Sequence, residues 1–164
     1  GPGHLPAPAG ITVIPVTTAR EMYEAVLNHY EDAHIVVKAA AVADYRPAQT
    51  HVHKIKKDHV LSMNLVQNPD ILAELGRRKK HQILVGFAAE TQNLQENAKE
   101  KLYRKNLDLM AANDLLQPGA GFNEDTNIIH LFFADGTHKQ LEMMPKTEAA
   151  RRLLLEAAAL MDNK

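Results

Sequence analysis

Three lysines, Lys54, Lys56 and Lys57, stand within four residues of one another in a chain of net charge −1. In extended geometry Lys54 and Lys56 share one face and Lys57 takes the other. Cations so placed suit a polyphosphate, or a phosphoryl centre on which charge develops. A solvated edge strand, where lysines discourage strand addition, uses the same residues. Lys101 and Lys105 are spaced i, i+4 on an expected helix and project together. They too suit phosphates, or simply face water beside Glu96 and Glu100. Asp44 follows an apolar run, where a carboxylate hydrogen-bonds a ribose, holds Mg²⁺ through water, or caps a turn. Asn68-Pro69-Asp70-Ile71 places proline at a helix start with Asn68 as its cap, and leaves N–H groups for an anion or a base edge. Phe87, at a strand end, can stack on a base or pack in a core. His51, His53 and His59 lie close in sequence, but two histidines on one strand face without a third ligand define no metal site.

These residues must be held by alternating strands and helices. Ile11 to Val16 is a β-branched run that predicts a strand. Thr18-Ala19-Arg20-Glu21 is a capping box opening a helix to about Tyr30. His34 to Val42 reads as a buried parallel strand, followed by a loop over 43–53. Lys54 to Lys57 and Leu61 to Val66 read as two extended pieces of a half-exposed, protruding hairpin. A helix from Asn68 to about Lys80, a strand from Gln82 to Phe87, a helix from Asn93 to Lys105 and a strand from Leu107 to Ala112 follow. Ile128 to Phe133 and Lys139 to Met143 flank Asp135-Gly136, a strong hairpin signal. Thr147 to Met161 is a final Ala- and Leu-rich helix. The pattern predicts one α/β domain over 1–164, with a mostly parallel sheet, helices on both faces and an antiparallel edge hairpin. Ligands of such sheets bind beyond the carboxyl ends of the strands. Here those ends lead into Asp44-Tyr45-Arg46, Glu90-Thr91 and Asn113-Asp114.

Composition narrows the chemistry. The chain has 164 residues, 45% hydrophobic and 24% charged, ordinary values for a globular domain. Its near-neutral charge argues against a nucleic-acid partner, which calls for a basic excess. Cysteine is absent, which excludes disulfides, thiolate catalysis and Cys-ligated zinc. The single serine, Ser62, has no nucleophile-elbow sequence around it. No G-x-G-x-x-G or Walker A loop occurs. No apolar run approaches a membrane span and no signal peptide is visible, so a soluble cytoplasmic protein without a membrane partner is expected.

Several segments, in order, resemble the bacterial CTP-dependent phosphopantothenoylcysteine synthetase, also called phosphopantothenate–cysteine ligase. They are Ala39-Ala40-Ala41-Val42-Ala43-Asp44-Tyr45-Arg46-Pro47, Lys54-Ile55-Lys56-Lys57, Asn68-Pro69-Asp70-Ile71 and Gly86-Phe87-Ala88-Ala89-Glu90-Thr91. Lys101-x-x-x-Lys105-Asn106-Leu107-Asp108, Ala112-Asn113-Asp114 and Gly121-Phe122-Asn123 continue the series. The resemblance covers essentially the whole chain and implies a Rossmann-like fold. It also implies an activity in coenzyme A synthesis, in which 4′-phosphopantothenate and cysteine are joined through an acyl-cytidylate at the expense of CTP. Mg²⁺ as cofactor, a homodimer and fusion to a flavin-dependent decarboxylase are implied as well.

By the same resemblance, Lys54 contacts the phosphates and the transition state and Lys57 supports it. The backbone around Ala39 and Ala40, with Asp44, belongs to the nucleotide site. Asn68, Pro69, Asp70, Ile71 and Phe87 surround cytosine and ribose, and Lys101 and Lys105 hold the triphosphate. No metal ligands are implied. Lys38 departs from the small or apolar residue expected on a buried strand; it either snorkels to the strand end or touches the ligand. The family's first βαβ region, with a Gly-rich turn and an Asn for the acyl-cytidylate, has no counterpart here. A nucleotide-binding remnant or interaction module without complete ligase activity is therefore the competing expectation.

Overall fold

The structure is a computed structural model and describes residues 6–49, 53, 62–90, 93–114 and 124–162, with the backbone alone at Glu90 and Asp114. Among the described residues the order is α1 (Ala19–Tyr30), β1 (Ile35–Lys38), β2 (Tyr45–Pro47), β3 (Leu65–Gln67), α2 (Ile71–Arg78) and β4 (Ile83–Glu90). Then come α3 (Leu94–Arg104), β5 (Leu109–Asp114), β6 (Thr126–Phe133), β7 (His138–Pro145) and α4 (Lys146–Asp162). The chain divides into two compact units, Gly1–Asn28 with Ala41–Asp70 and His29–Ala40 with Ile71–Lys164.

In the first unit, α1 opens as its sequence dictates. Thr18 Oγ1 accepts the Glu21 N–H at 3.1 Å, and the Glu21 carboxylate accepts the Thr17 and Thr18 N–H groups at 2.7 and 3.2 Å. Three N–H groups that an uncapped helix start would leave to water are thus satisfied. Residues 11–16 do not form the expected strand. Ile11, Val13 and Ile14 are 62%, 60% and 45% exposed, and no described strand pairs with them. β-Branched composition measures fit to a half-buried pleated surface, and without a neighbouring strand there is no such surface.

The hairpin also differs from expectation. β3 pairs antiparallel with β2, Tyr45 opposite Gln67, Arg46 opposite Val66 and Pro47 opposite Leu65. Backbone bonds from Ala48 N to Asn64 O (2.8 Å) and Asn68 N to Asp44 O (2.7 Å) extend this ladder at both ends. Part of the expected loop over 43–53 is therefore strand. Lys54 to Lys57, the expected partner, lies outside the described residues. Pro47 is tolerated because the pair is exposed along its length.

The second unit is built on a five-stranded sheet in the order β1-β4-β5-β6-β7. β1, β4 and β5 run parallel, and β6 and β7 join them antiparallel. The expected mixed α/β sheet with a late antiparallel hairpin is therefore present. β1 is shorter than expected and half-buried, because it stands at the end of the strand order. Along β4 and β5, Ile83, Val85, Leu109 and Ala111 face one way and pack with Ile129, Leu131, Phe133 and Leu141. Ala149, Leu153 and Ala157 of α4 cover this side. Gly86 faces the other way. A Cβ there would meet Leu107, Leu72 and Met110 side chains at 2.8–3.0 Å, so α2 and the end of α3 close on that face. Helices cover both faces, as the strand–helix alternation predicts.

Two turns complete the frame. The β6–β7 turn has Gly136 at φ 91°, with Gly136 N donating to Phe133 O at 3.0 Å and Thr137 N to Asp135 Oδ1 at 2.8 Å. Only glycine takes that conformation without strain. Helix α3 ends in paired bonds from Asn106 N to Tyr103 O (3.1 Å) and Leu107 N to Leu102 O (2.9 Å), with Asn106 left-handed at φ 51°. This is a Schellman motif, and Leu102 and Leu107 supply its buried apolar contact.

Candidate functional site

The ligand end of a parallel sheet is where its strands finish, and in the second unit Lys38, Phe87 and Asn113 stand there. Lys38 closes β1 opposite Gly86 of β4. Its stem is half-buried, and its Nζ reaches past the strand end to donate to Ala40 O at 3.1 Å. The lysine therefore snorkels, and its charge lies where the exposed Ala39 and Ala40 leave the sheet. Phe87, opposite Ala111, is half-buried against the α4-side core. Beyond Gly86 the strand β4 continues past the residues paired with β1, and Ala89 there is exposed.

Ile71 begins α2, but its side chain is 3% exposed and belongs to the core. Only its backbone N–H, one of the unbonded donors of a helix start, can address a ligand. Asp70 occupies the preceding position, one that favours Asp.

In the first unit Asp44 and Asn68 are brought together at the end of the β2–β3 ladder. The expected capping role of Asn68 is replaced by another. Its Nδ2 donates to Ala43 O at 2.8 Å, and its Oδ1 accepts from Arg46 at 2.9 Å. The same Arg46 nitrogen donates to Gln67 O at 2.8 Å. A side-chain amide has one carbonyl oxygen, and the arginine outbids the helix for it through charge. Asp44 is exposed, and among the described residues its carboxylate has no partner. Lys54 and Lys57 lie outside the described residues. Pro69 is half-buried between Asn68 and Asp70.

Lys101 and Lys105 are placed together, and Lys105 N donates to Lys101 O at 3.1 Å. Lys105 is the C-cap residue of α3 and not a full helical position. Because α3 carries the chain from the end of β4 back to the start of β5, both lysines lie toward the end of the sheet opposite Lys38. Eleven residues of helix separate the two ends, about 16 Å.

The sequence places Asn113 at a strand end without giving it a role, and gives Asn127 no notice; both carry a buried amide oxygen. Asn113 is 7% exposed, and its Oδ1 has no hydrogen-bond partner among the described residues; the Oδ1 of Asn127 on β6 is likewise buried and unpartnered. The detectable signal was parity. Asn113 continues the inward-facing series Leu109, Ala111 on β5, where a polar residue is out of pattern. Among the described residues no group of three His, Cys, Asp or Glu could hold a metal ion.

A mostly parallel sheet with helices on both faces and an antiparallel pair at its edge defines an open, Rossmann-like α/β domain. Residues 1–161 match the family described as the DNA/pantothenate metabolism flavoprotein C-terminal domain, and the chain belongs to that family. It is 49% identical over 162 residues to the coenzyme A biosynthesis bifunctional protein CoaBC of Bacillus subtilis (strain 168), covering 98% of this chain and 40% of that protein. To the protein of the same name from Escherichia coli (strain K12) it is 44% identical over 169 residues, covering all of this chain and 41% of that one. The chain thus spans about two fifths of these relatives. Its fold is similar to a crystal structure of the C-terminal domain of CoaBC, with a TM-score of 0.83 at 36% identity over 99% of this chain and 72% of that one. The resemblance read from the motifs agrees with this membership.

Proposed function

We propose that this domain carries an amide-forming step of coenzyme A synthesis, joining 4′-phosphopantothenate to cysteine with CTP. The pantothenate carboxylate attacks the α-phosphate and pyrophosphate leaves. The cysteine amine then attacks the acyl carbonyl and CMP leaves. Membership of the flavoprotein C-terminal family, with relatives named for coenzyme A biosynthesis, carries this reading. The residue inventory supports it. Such chemistry needs cations and positioning more than a protein nucleophile, and the chain has lysines in clusters but no cysteine.

In this reading Lys54, supported by Lys57, neutralises charge on the phosphoryl centre. Lys38, Ala39, Ala40, Ile71 and Phe87 border the nucleotide at the strand ends, and Asp44, Asn68, Pro69 and Asp70 complete its surroundings. Lys101 and Lys105 hold the triphosphate. From their position along α3, a nucleotide touching them and Lys38 of the same chain must lie extended. Mg²⁺ is commonly held by one or two carboxylates together with substrate phosphates. The free carboxylate of Asp44 fits that role and would hold the ion, which when bound neutralises phosphate charge. The working protein is a cytoplasmic homodimer in which this domain follows a flavin-dependent decarboxylase.

The test uses the intact protein carrying this domain. Millimolar CTP with Mg²⁺ should raise its melting temperature, and pyrophosphate should appear only when phosphopantothenate is added. Lys54→Ala should cut pyrophosphate release by about 10²–10³-fold without moving the melting temperature of the free protein. Wild-type release from that variant, or no thermal response to CTP, would overturn the reading.

A further inference from the structure

The amide oxygen of Asn113 is buried and, among the described residues, has no hydrogen-bond partner. On β5, Leu109 and Ala111 point into the core beneath α4, and Asn113 follows them on the same face. Its register neighbours are Ala89 of β4 and Ile129 of β6, neither of which offers a side-chain donor. Its Oδ1 is enclosed and, among the described residues, unpartnered. A carbonyl oxygen removed from water without a donor destabilises the fold, and an apolar residue of the same shape would not. The surroundings show where a donor could enter. β1 stops pairing at Gly86, β4 runs on, and Ala89 beside Asn113 is exposed. Asn113 thus lies one strand in from an open edge, at the end of the sheet where ligands bind. On the adjacent strand Phe87 lies on the same face, two residues short of Ala89. Asn127, with a second Oδ1 that is enclosed and unpartnered among the described residues, lies on β6 where that strand enters the same end of the sheet.

We propose that Asn113 contacts the bound nucleotide, its Oδ1 accepting a hydrogen bond from an N–H or O–H of the base or ribose. This rests on the nucleotide reading above and adds a specificity-determining residue to it. With Phe87 as an apolar wall, the arrangement suits a planar group carrying a donor on its edge. A base amine and a sugar hydroxyl share that chemistry, and nucleotide analogues separate them.

The experiment compares the wild-type protein with Asn113→Leu and Asn113→Ala, by thermal unfolding and by titration with CTP, UTP and 2′-deoxy-CTP. Asn113→Leu should melt about 2–4 °C higher than wild type when free, yet bind CTP at least tenfold more weakly. A residue of purely structural value would not raise stability and lower affinity together. If the base amine is the donor, wild type prefers CTP over UTP and the leucine variant loses that preference. If the 2′-hydroxyl is the donor, the preference lost is the one against 2′-deoxy-CTP. Asn113→Ala, which leaves space but no acceptor, should weaken CTP in the same way and serves if the leucine variant does not fold. Unchanged CTP affinity in both variants overturns the assignment while leaving the nucleotide reading intact. A wild-type protein that binds no nucleotide overturns both.

Discussion

Tyr30 shows how much a single side chain can reveal about its surroundings. It ends α1, is buried, and donates its hydroxyl proton to Leu75 O at 2.8 Å, while its own carbonyl accepts from Gln82 Nε2 at 3.2 Å. Burial, with a smaller contribution from the Asp108 carboxylate, pushes the phenol from 10.0 up to about 12. A raised value means the folded protein keeps a proton that the unfolded chain gives up. The associated stability is complete below pH 10 and is lost as pH rises toward about 12. In an ultraviolet titration, Tyr30→Phe should remove the last tyrosine to ionise. The variant also leaves Leu75 O without that donor, so chemical denaturation should show a loss of about 1 kcal/mol. Asp108 is a further residue of this kind. Its Oδ2 accepts the Leu84 N–H at 2.8 Å and Lys79 Nζ at 3.2 Å, fixing the start of β4. None of these partners could be read from sequence, because each is separated from its partner by tens of residues and follows from how the helices and strands pack together.

Elements were legible where their signals are local. The capping box of α1, the Asp-Gly turn and the Ala- and Leu-rich α4 are all as their sequences predict, because each is decided within a few residues. Residues 11–16 failed because strand formation needs a neighbour. Asn68 failed because Arg46, far away in sequence, competes for its oxygen. The junction of α2 with the end of α3 is another long-range feature. A Cβ on Gly76 would stand 1.8 Å from Lys105 O, and Asn106 Nδ2 donates to Gly76 O at 2.9 Å. Replacing Gly76 by alanine in a helix gains up to ~1 kcal/mol of propensity. Backbone meets backbone here, so the clash should dominate. Gly76→Ala should lose about 1–3 kcal/mol in urea unfolding. It should also displace Lys105, which makes weaker CTP binding the second readout.

At the scale of the molecule, the class of fold was legible because alternating helices and strands leave few ways to cover a sheet. The candidate functional residues stand out only as an ordered set of motifs, since Lys54, Phe87 and Lys101 taken singly each have an ordinary structural use. The position of Asn113 at a strand end was legible, but the enclosure of its oxygen and that of Asn127 was not, because enclosure is a property of the completed sheet. The strand order has a consequence in time as well as in space. β6 and β7 are joined by the turn at residues 134–137, so they can pair without waiting for the rest of the chain. β1 must find β4 across the whole of Ala41–Asp70, which is itself part of a separate compact unit. Closing long loops is entropically slow, and parallel pairing is slower than a hairpin. In pulsed hydrogen exchange during refolding, amides of residues 129–132 and 138–141 should become protected first and those of Ile35–Lys38 last. Simultaneous protection would show that the sheet assembles in a single step. Otherwise Lys38, on the last strand to arrive, is set in place after the rest of the sheet has formed, and any ligand that needs it must wait for that step.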